Sequence, residues 1–340
     1  MHLTQIEKVL KSKILTAGSV PDGEKLWADY IHARSILFAD ILTVVGIRER
    51  ELTDHGQSHV VDVLNKAGKL LIEKNKINLS ALDLYILCLS ILFHDVGNIH
   101  GRKDHNKMIA DIYNYVRAGN VALINDDYAT ESRIVKTIVQ AHCGENARGS
   151  NNTLQDVSTH DYFLDDTVKP QIIASIVRFA DELAQGKVRT SQYLIDAGVL
   201  SVNSEIHHRY EKATEATIDR QNSRIALTYN IPVEWKDGAL YVGSSIELTF
   251  FLKFLYTRIE KIDQERKYTK FYCTLLEPFK MVSVSIFFIH KGEMISLGLK
   301  PVILTDLVEP GMKNTPFYER FAEYDIDVIA AKLSSLTSGS

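Results

Sequence analysis

Apolar positions in the first fifty residues recur with helical spacing. Leu3, Ile6, Val9, Leu10, Ile14 and Leu15 fall near a period of about 3.6 residues. Pro21-Asp22-Gly23 interrupts them, and Leu26, Trp27, Tyr30, Ile31, Ile36, Leu37, Ile41 and Leu42 resume the pattern. Residues 51–190 read as a run of helices with short polar breaks. The segment 58–74 is amphipathic through Val60, Val61, Leu64, Leu70 and Leu71. Asn78-Leu79-Ser80 offers an N-cap for a helix over 81–96, which Gly97 and Gly101 end in a loop. Asp104 can cap a helix over 105–117, and Thr130 or Ser132 opens another that ends near Gly144. Residues 144–168 are polar and weakly patterned and read as a partly ordered loop. Pro170 suits the first turn of a helix running to about Gln185, where Gly186 is a stop.

The pattern changes near residue 200. Residues 213–218 and 224–229 alternate as strands do, separated by Arg220-Gln221-Asn222-Ser223, which predicts a hairpin. An amphipathic helix is predicted over 245–267, a β-branched and aromatic strand over 281–289, and a closing helix over 317–336. The expectation is a mainly α chain in three parts: an N-terminal helical segment (1–50), a helical domain (51–195) and a smaller C-terminal α+β region (196–340).

Composition adds exclusions. The chain has 340 residues, 45% hydrophobic and 24% charged, as ordinary globular proteins do. Its net charge of −4 argues against coating long nucleic acid, which needs a basic surface. Cys88, Cys143 and Cys273 are odd in number and form no CxxC pair, which favours a reduced compartment over a disulfide framework. The run ALDLYILCLSILF is broken by Asp83 and stops at His94, so it reads as a buried core helix and not a membrane span. A cytoplasmic protein with no membrane partner is expected.

Six residues could carry chemistry: His59, the pair His94–Asp95, His105, His142 and Asp181. Their nitrogen and oxygen donors suit a divalent metal of middling hardness. Adjacent residues point about 100° apart on a helix, so His94 and Asp95 share an ion only at a helix end; Gly97 supplies one. The same 100° sets Cys143 against His142 and makes it a packing residue. His100 could stand in for His105, and His207–His208 reads as a solvated pair before the hairpin. For phosphate oxygens the candidates are Arg178, one turn before Asp181, and Arg102, Lys103 and Lys107; Arg178 could instead pair with Glu182.

The order H…HD…D on consecutive helices resembles the HD superfamily of metal-dependent phosphohydrolases. TDHGQSHVVDV (53–63), LSILFHDVGN (89–98) and IVRFADEL (176–183) are similar to its motifs, over roughly residues 50–190. The resemblance implies an HD-type helical core in which His59, His94, Asp95 and Asp181 hold one metal. Its binuclear form implies a second, held by Asp95 as bridge with His105 and His142. Such members carry two adjacent histidines where this chain has His142–Cys143, and Lys where it has Asn98. With the GYP motif absent, these departures argue against a cyclic-di-GMP enzyme. The arrangement also resembles the HD-CE type, associated with bacterial conflict and signalling.

The implied cofactors are one or two divalent ions among Mn, Fe, Ni, Co, Mg and Zn, and the implied activity is phosphohydrolysis of a nucleotide or related phosphoester. That covers dNTP triphosphohydrolase, nucleotidase, cyclic-nucleotide phosphodiesterase and short-oligonucleotide nuclease. Asp95 would orient the nucleophile, Arg178 would meet phosphate oxygens, and His55, with Asp54, would be an outer partner or a proton donor. The alternatives are a nucleotide-sensing HD module that binds without turnover, and a C-terminal half that works as a partner or homo-oligomer surface.

Overall fold

The computed structural model of the chain describes residues 2–16, 18, 20–48, 51–74, 76–101, 105, 108–118, 126–146, 148–243, 245–306 and 316–337. The chain is mainly α and forms two compact units. The first takes residues 1–50, 54–184 and 268–277; the second takes 51–53, 185–267 and 278–340.

The first unit is organised by the helix Ala81–Phe93. Every residue from Leu82 to Phe93 is buried, so no face requires polar side chains and the run lacks an amphipathic period. A capping box starts it: Asp83 N donates to Ser80 Oγ at 2.9 Å, and Ser80 N donates to the Asp83 carboxylate at 3.3 Å. The other Asp83 oxygen accepts from Lys169 N at 2.8 Å, which ties down the start of helix Pro170–Leu183. Helices Gln5–Ile14, Gln57–Leu71, Asp126–Ala141 and Pro170–Leu183 pack on this central helix.

Two stretches, Gly23–Ile47 and Ala81–His100, are long and apolar enough to cross a membrane by composition. The second is 94% buried inside the protein, as a core helix is. The first is 39% buried and carries Arg34, whose Nε lies 2.6 Å from the buried Glu7 carboxylate. The segment 1–50 shares its unit with the helices that follow it.

A polar knot lies in the same unit. The buried Glu131 accepts from the Tyr85 hydroxyl at 2.5 Å, from the Tyr113 hydroxyl, and from Arg117 Nε and Nη2 at 3.0 and 3.1 Å.

Several boundaries differ from the periodicity. The helix expected over 81–96 ends at Phe93, and a 3-10 turn, Val96–His100, follows. The helix expected from His105 is Ala110–Arg117; Asp104, its expected cap, lies outside the described residues. The next helix begins at Asp126, earlier than Thr130, because Asp126 and Asp127 suit the positive end of the helix dipole. The expected loop 144–168 contains a hairpin, Asp161–Phe163 with Asp166–Val168. Its turn residues Leu164 and Asp165 take φ of 49° and 60°, a conformation that Asn-Gly usually announces and this sequence does not.

The second unit contains the expected hairpin. Thr214–Asp219 pairs antiparallel with Arg224–Pro232, and Met281–His290 joins Arg224–Pro232 in parallel. Val302–Thr305 and Glu293–Ile295 pair antiparallel with Met281–His290. Ile225, Leu227, Tyr229 and Ile231 are buried at every second position, as a strand with one core face requires. A small second sheet joins Glu234–Lys236, Ala239–Val242 and Ile246–Glu247. The helix expected over 245–267 is Leu248–Tyr272. The closing helix is broken into Phe317–Arg320, a 3-10 turn Ala322–Tyr324 and Ile326–Thr337. Asp325 causes the restart, since its Oδ1 accepts from Asp327 N and Val328 N at 3.0 and 3.1 Å.

His208 corrects half of another expectation. The pair His207–His208 sits in helix Val202–Ala213, which leads into the hairpin, and His207 is exposed as expected. His208 is buried, with Nδ1 2.8 Å from Thr190 Oγ1 and Nε2 3.3 Å from Glu51 O.

Candidate metal centre

Four helices of the first unit deliver the donors. His59 sits in the first turn of Gln57–Leu71, where Asp54 Oδ1 accepts from Gly56 N at 2.7 Å and fixes the entry of the chain. His94 and Asp95 follow the end of Ala81–Phe93. Asp95 leaves helical geometry, with φ −112° and ψ 3°, which frees the pair from the 100° offset. Asp181 lies in the last turn of Pro170–Leu183 and His142 directly after Asp126–Ala141.

The first donor set is compact. His59 Nε2 lies 3.2 Å from His94 Nε2, 3.4 Å from Asp95 Oδ2 and 3.0 Å from Asp181 Oδ1. His94 Nε2 lies 3.4 Å from Asp95 Oδ2 and 3.6 Å from Asp181 Oδ1. Donors about 2.1 Å from one shared cation stand roughly 3.0–3.4 Å apart in octahedral or tetrahedral arrangement. The observed separations therefore fit a single ion. The Asp181 side chain is 26% exposed and opens the otherwise buried set to solvent.

The ring tautomers agree. His94 Nδ1 donates to Ile91 O at 2.8 Å and His142 Nδ1 donates to Val139 O at 2.5 Å. A carbonyl only accepts, so Nδ1 carries a proton and Nε2 faces inward, where it can offer a lone pair to a cation, as metal-ligating imidazoles do. Two Nε2 atoms 3.2 Å apart, those of His59 and His94, need a proton on one of them or a cation between them. His59 Nδ1 is buried with no hydrogen-bond partner among the described residues.

A second set meets the other oxygen of Asp95. His105 Nε2 lies 3.3 Å and His142 Nε2 3.9 Å from Asp95 Oδ1. Gly97 makes this approach feasible: a Cβ there would stand 1.8 Å from His105 O, so only glycine lets the 96–100 turn pack on the His105 backbone.

Cys143 is the residue that sequence reasoning misplaced. Its Sγ lies 3.6 Å from His105 Nε2, and the donors of His105, His142 and Cys143 all fall within 4.8 Å of one another. The helical offset does not apply because the helix ends at Ala141, where His142 N donates back to Val139 O in a tighter turn. Adjacency to a candidate ligand at a helix end was the available signal.

The electrostatics follow from these contacts. Burial pushes the Asp95 carboxyl up, but His94, His105 and His59 outweigh it and hold the carboxyl well below its ordinary range. Asp181 behaves likewise, its burial outweighed by His59 and His94. Burial pulls His94 down, yet Asp95 and Asp181 raise it well above the usual imidazole value. For His105 burial is again outweighed, by Asp95 and Cys143, and its pKa rises to about 9. His142 is lowered by burial and by its neighbour His94. The centre thus attracts positive charge, which the donor set fits as a divalent cation.

The remaining candidates fall around these sets. His55 is buried, its ring centroid 5.6 Å from that of His59. Arg178 Nη1 donates to Thr153 Oγ1 at 3.0 Å and to Ala141 O at 3.4 Å, and the guanidinium lies over the Tyr268 ring. These contacts brace the turn that carries His142. His100 is exposed and belongs to neither donor group. Arg102, Lys103 and Lys107 lie outside the described residues. Asn98 received no role from the sequence, yet it is fully buried and its side-chain Oδ1 and Nδ2 have no hydrogen-bond partner among the described residues.

The HD-CE family profile matches residues 49–261, well over half of the chain. The match extends past the segment 50–190 that carries the sequence motifs and into residues of the second unit. No curated protein matches the chain, and no solved structure does. With buried histidine and aspartate groups that could hold metal, and a family match spanning them, the chain belongs to the HD-CE family.

Proposed function

We propose that the protein is a metal-dependent phosphohydrolase acting on a nucleotide or a related phosphoester. One observation carries the reading: the two oxygens of Asp95 are divided between two donor sets. Oδ2 lies 3.4 Å from Nε2 of both His59 and His94, while Oδ1 lies 3.3 and 3.9 Å from Nε2 of His105 and His142. A carboxylate so placed suits a bridge between two cations. His59, His94, Asp95 and Asp181 would hold one, and Asp95, His105 and His142 the other. Divalent cations there supply Lewis acidity, which acidifies water toward neutral pH and draws charge from phosphoryl oxygens.

The chain's own residues do the rest. Asp95 orients the attacking water. His94 and His142 keep their inward lone pairs because their Nδ1 protons are committed to Ile91 O and Val139 O. We assign Arg178 to the non-bridging oxygens, from a guanidinium held by Thr153 and Ala141. We assign His55 to the outer shell of His59, with proton donation to the leaving group as its second role. The net charge of −4 supports a small phosphoester over long nucleic acid, and three cysteines without a disulfide support a cytoplasmic setting.

The test is metal analysis of the purified protein, followed by a panel of dNTPs, nucleoside monophosphates, cyclic nucleotides and short oligonucleotides. Each is offered with Mn, Fe, Co, Ni, Mg or Zn. Turnover should need metal and should disappear in His94→Ala and Asp95→Ala. Nucleotide binding with metal but without product release would replace the enzyme by a sensing module. Activity surviving in both variants would end the proposal.

A further inference from the structure

The two halves of the centre differ in chemistry. The half containing His59, His94 and Asp181 offers only nitrogen and oxygen donors, whereas His105 and His142 share theirs with a sulfur. We infer that the Cys143 thiolate is a ligand of the second cation position, making that position selective for a thiophilic divalent ion of the zinc class. The inference rests on the metal-site reading above and deepens it.

Geometry supports it. A tetrahedral ion with a sulfur at about 2.3 Å and a nitrogen at about 2.0–2.1 Å holds those two donors about 3.6 Å apart. Cys143 Sγ and His105 Nε2 stand 3.6 Å apart. Asp95 Oδ1 lies 3.3 Å from the same nitrogen and 3.9 Å from His142 Nε2, so it can join the group of two imidazoles and one thiolate as a fourth donor. Four donors of this kind match the tetrahedral preference and borderline softness of zinc and suit magnesium or manganese poorly. The first set, with two carboxylates and no sulfur, accepts harder ions.

The full-length protein, stripped with chelator and reloaded with cobalt(II) or zinc, tests this directly. The cobalt protein should show a thiolate-to-cobalt charge-transfer band in the near ultraviolet. X-ray absorption of the zinc protein should show a sulfur shell at about 2.3 Å. In Cys143→Ser and Cys143→Ala the band and the shell should vanish. One equivalent of metal should stay, and the second should bind about tenfold or more weakly. Only nitrogen and oxygen scatterers in the loaded wild type would overturn the inference, independently of how the variants fold. Undiminished binding of both ions by Cys143→Ser would do the same. In either case metal loss in Asp95→Ala would leave the metal-site reading intact. A wild type that takes up no metal would remove both.

Discussion

Glu131 and Asp95 are both buried carboxylates of the first unit, yet their neighbours differ in kind. Glu131 is met by the Arg117 guanidinium and by two tyrosine hydroxyls, so its charge and its lone pairs are answered within the chain. Asp95 is met by His59, His94, His105 and His142, and among the described residues no lysine or arginine forms an ion pair with it or with Asp181. A buried charge without a compensating one is costly, so such a cluster stands only if a proton or an ion completes it. Taken together, the two sites separate polar burial that is closed by the protein from polar burial left open for a ligand.

Removing one partner at each site should expose the contrast. Arg117→Ala strands Glu131 in the core and should cost about 3–5 kcal/mol in urea unfolding, with or without metal. Asp95→Asn removes a charge that only imidazoles answer. It should destabilise the metal-free protein by less than Arg117→Ala does, while lowering turnover about a thousandfold. Equal destabilisation by both substitutions would erase the distinction.

Metal removal gives a smaller effect on the open site alone. An ion held at a hundred times its dissociation constant stabilises the folded state by about 2.7 kcal/mol. Chelation should therefore lower the wild-type melting temperature and leave Asp95→Asn unmoved. Gly97→Ala should be milder again. Its Cβ would collide with His105 O, so the His105 backbone must shift, and one equivalent of metal should bind about 10–100-fold more weakly while the Glu131 knot stays intact. Unchanged metal stoichiometry and affinity in Gly97→Ala would count against the role given to His105.

Much of the open site was legible because its candidate donors sit at helix ends, where sequence punctuation is strong. Gly97 marked the break after His94–Asp95, and Pro170 marked the start of the helix whose last turn carries Asp181. The apolar run before His94 correctly read as core, since burial on all sides leaves no polar period. Cys143 was lost because an ideal helical angle was extended one residue past Ala141, where the chain already turns. The Glu131 knot was not legible: Tyr85, Tyr113, Arg117 and Glu131 meet only through tertiary packing, and no spacing along the chain announces it. The hairpin at Leu164–Asp165 escaped for a local reason, its left-handed turn lacking glycine or asparagine.

The smallest effect tests whether a satisfied imidazole behaves unlike the open ones. His208, in the second unit, is buried with Nε2 donating to Glu51 O and Nδ1 accepting from the Thr190 hydroxyl, an arrangement that suits the neutral ring. Burial lowers its pKa, and the Glu51 carbonyl opposes this only in part. The unfolded chain titrates near the ordinary value of about 6.5. Between that value and the lower folded one, the unfolded state holds more protons. The stabilising contribution is therefore complete above about pH 6.5 and is lost as pH falls through the folded pKa. For metal-free His94 the shift is upward, and the sign reverses: its contribution is complete below about pH 6.5 and fades as pH rises. Urea unfolding of chelated wild type and His208→Gln at several pH values between 5 and 8 isolates the first effect. The wild type should lose stability relative to the variant on the acid side only, by no more than about 1.4 kcal/mol per pH unit, the slope of one proton. Parallel curves for the two proteins would mean that His208 titrates alike folded and unfolded, and the distinction between satisfied and open imidazoles would then lose its support in the second unit.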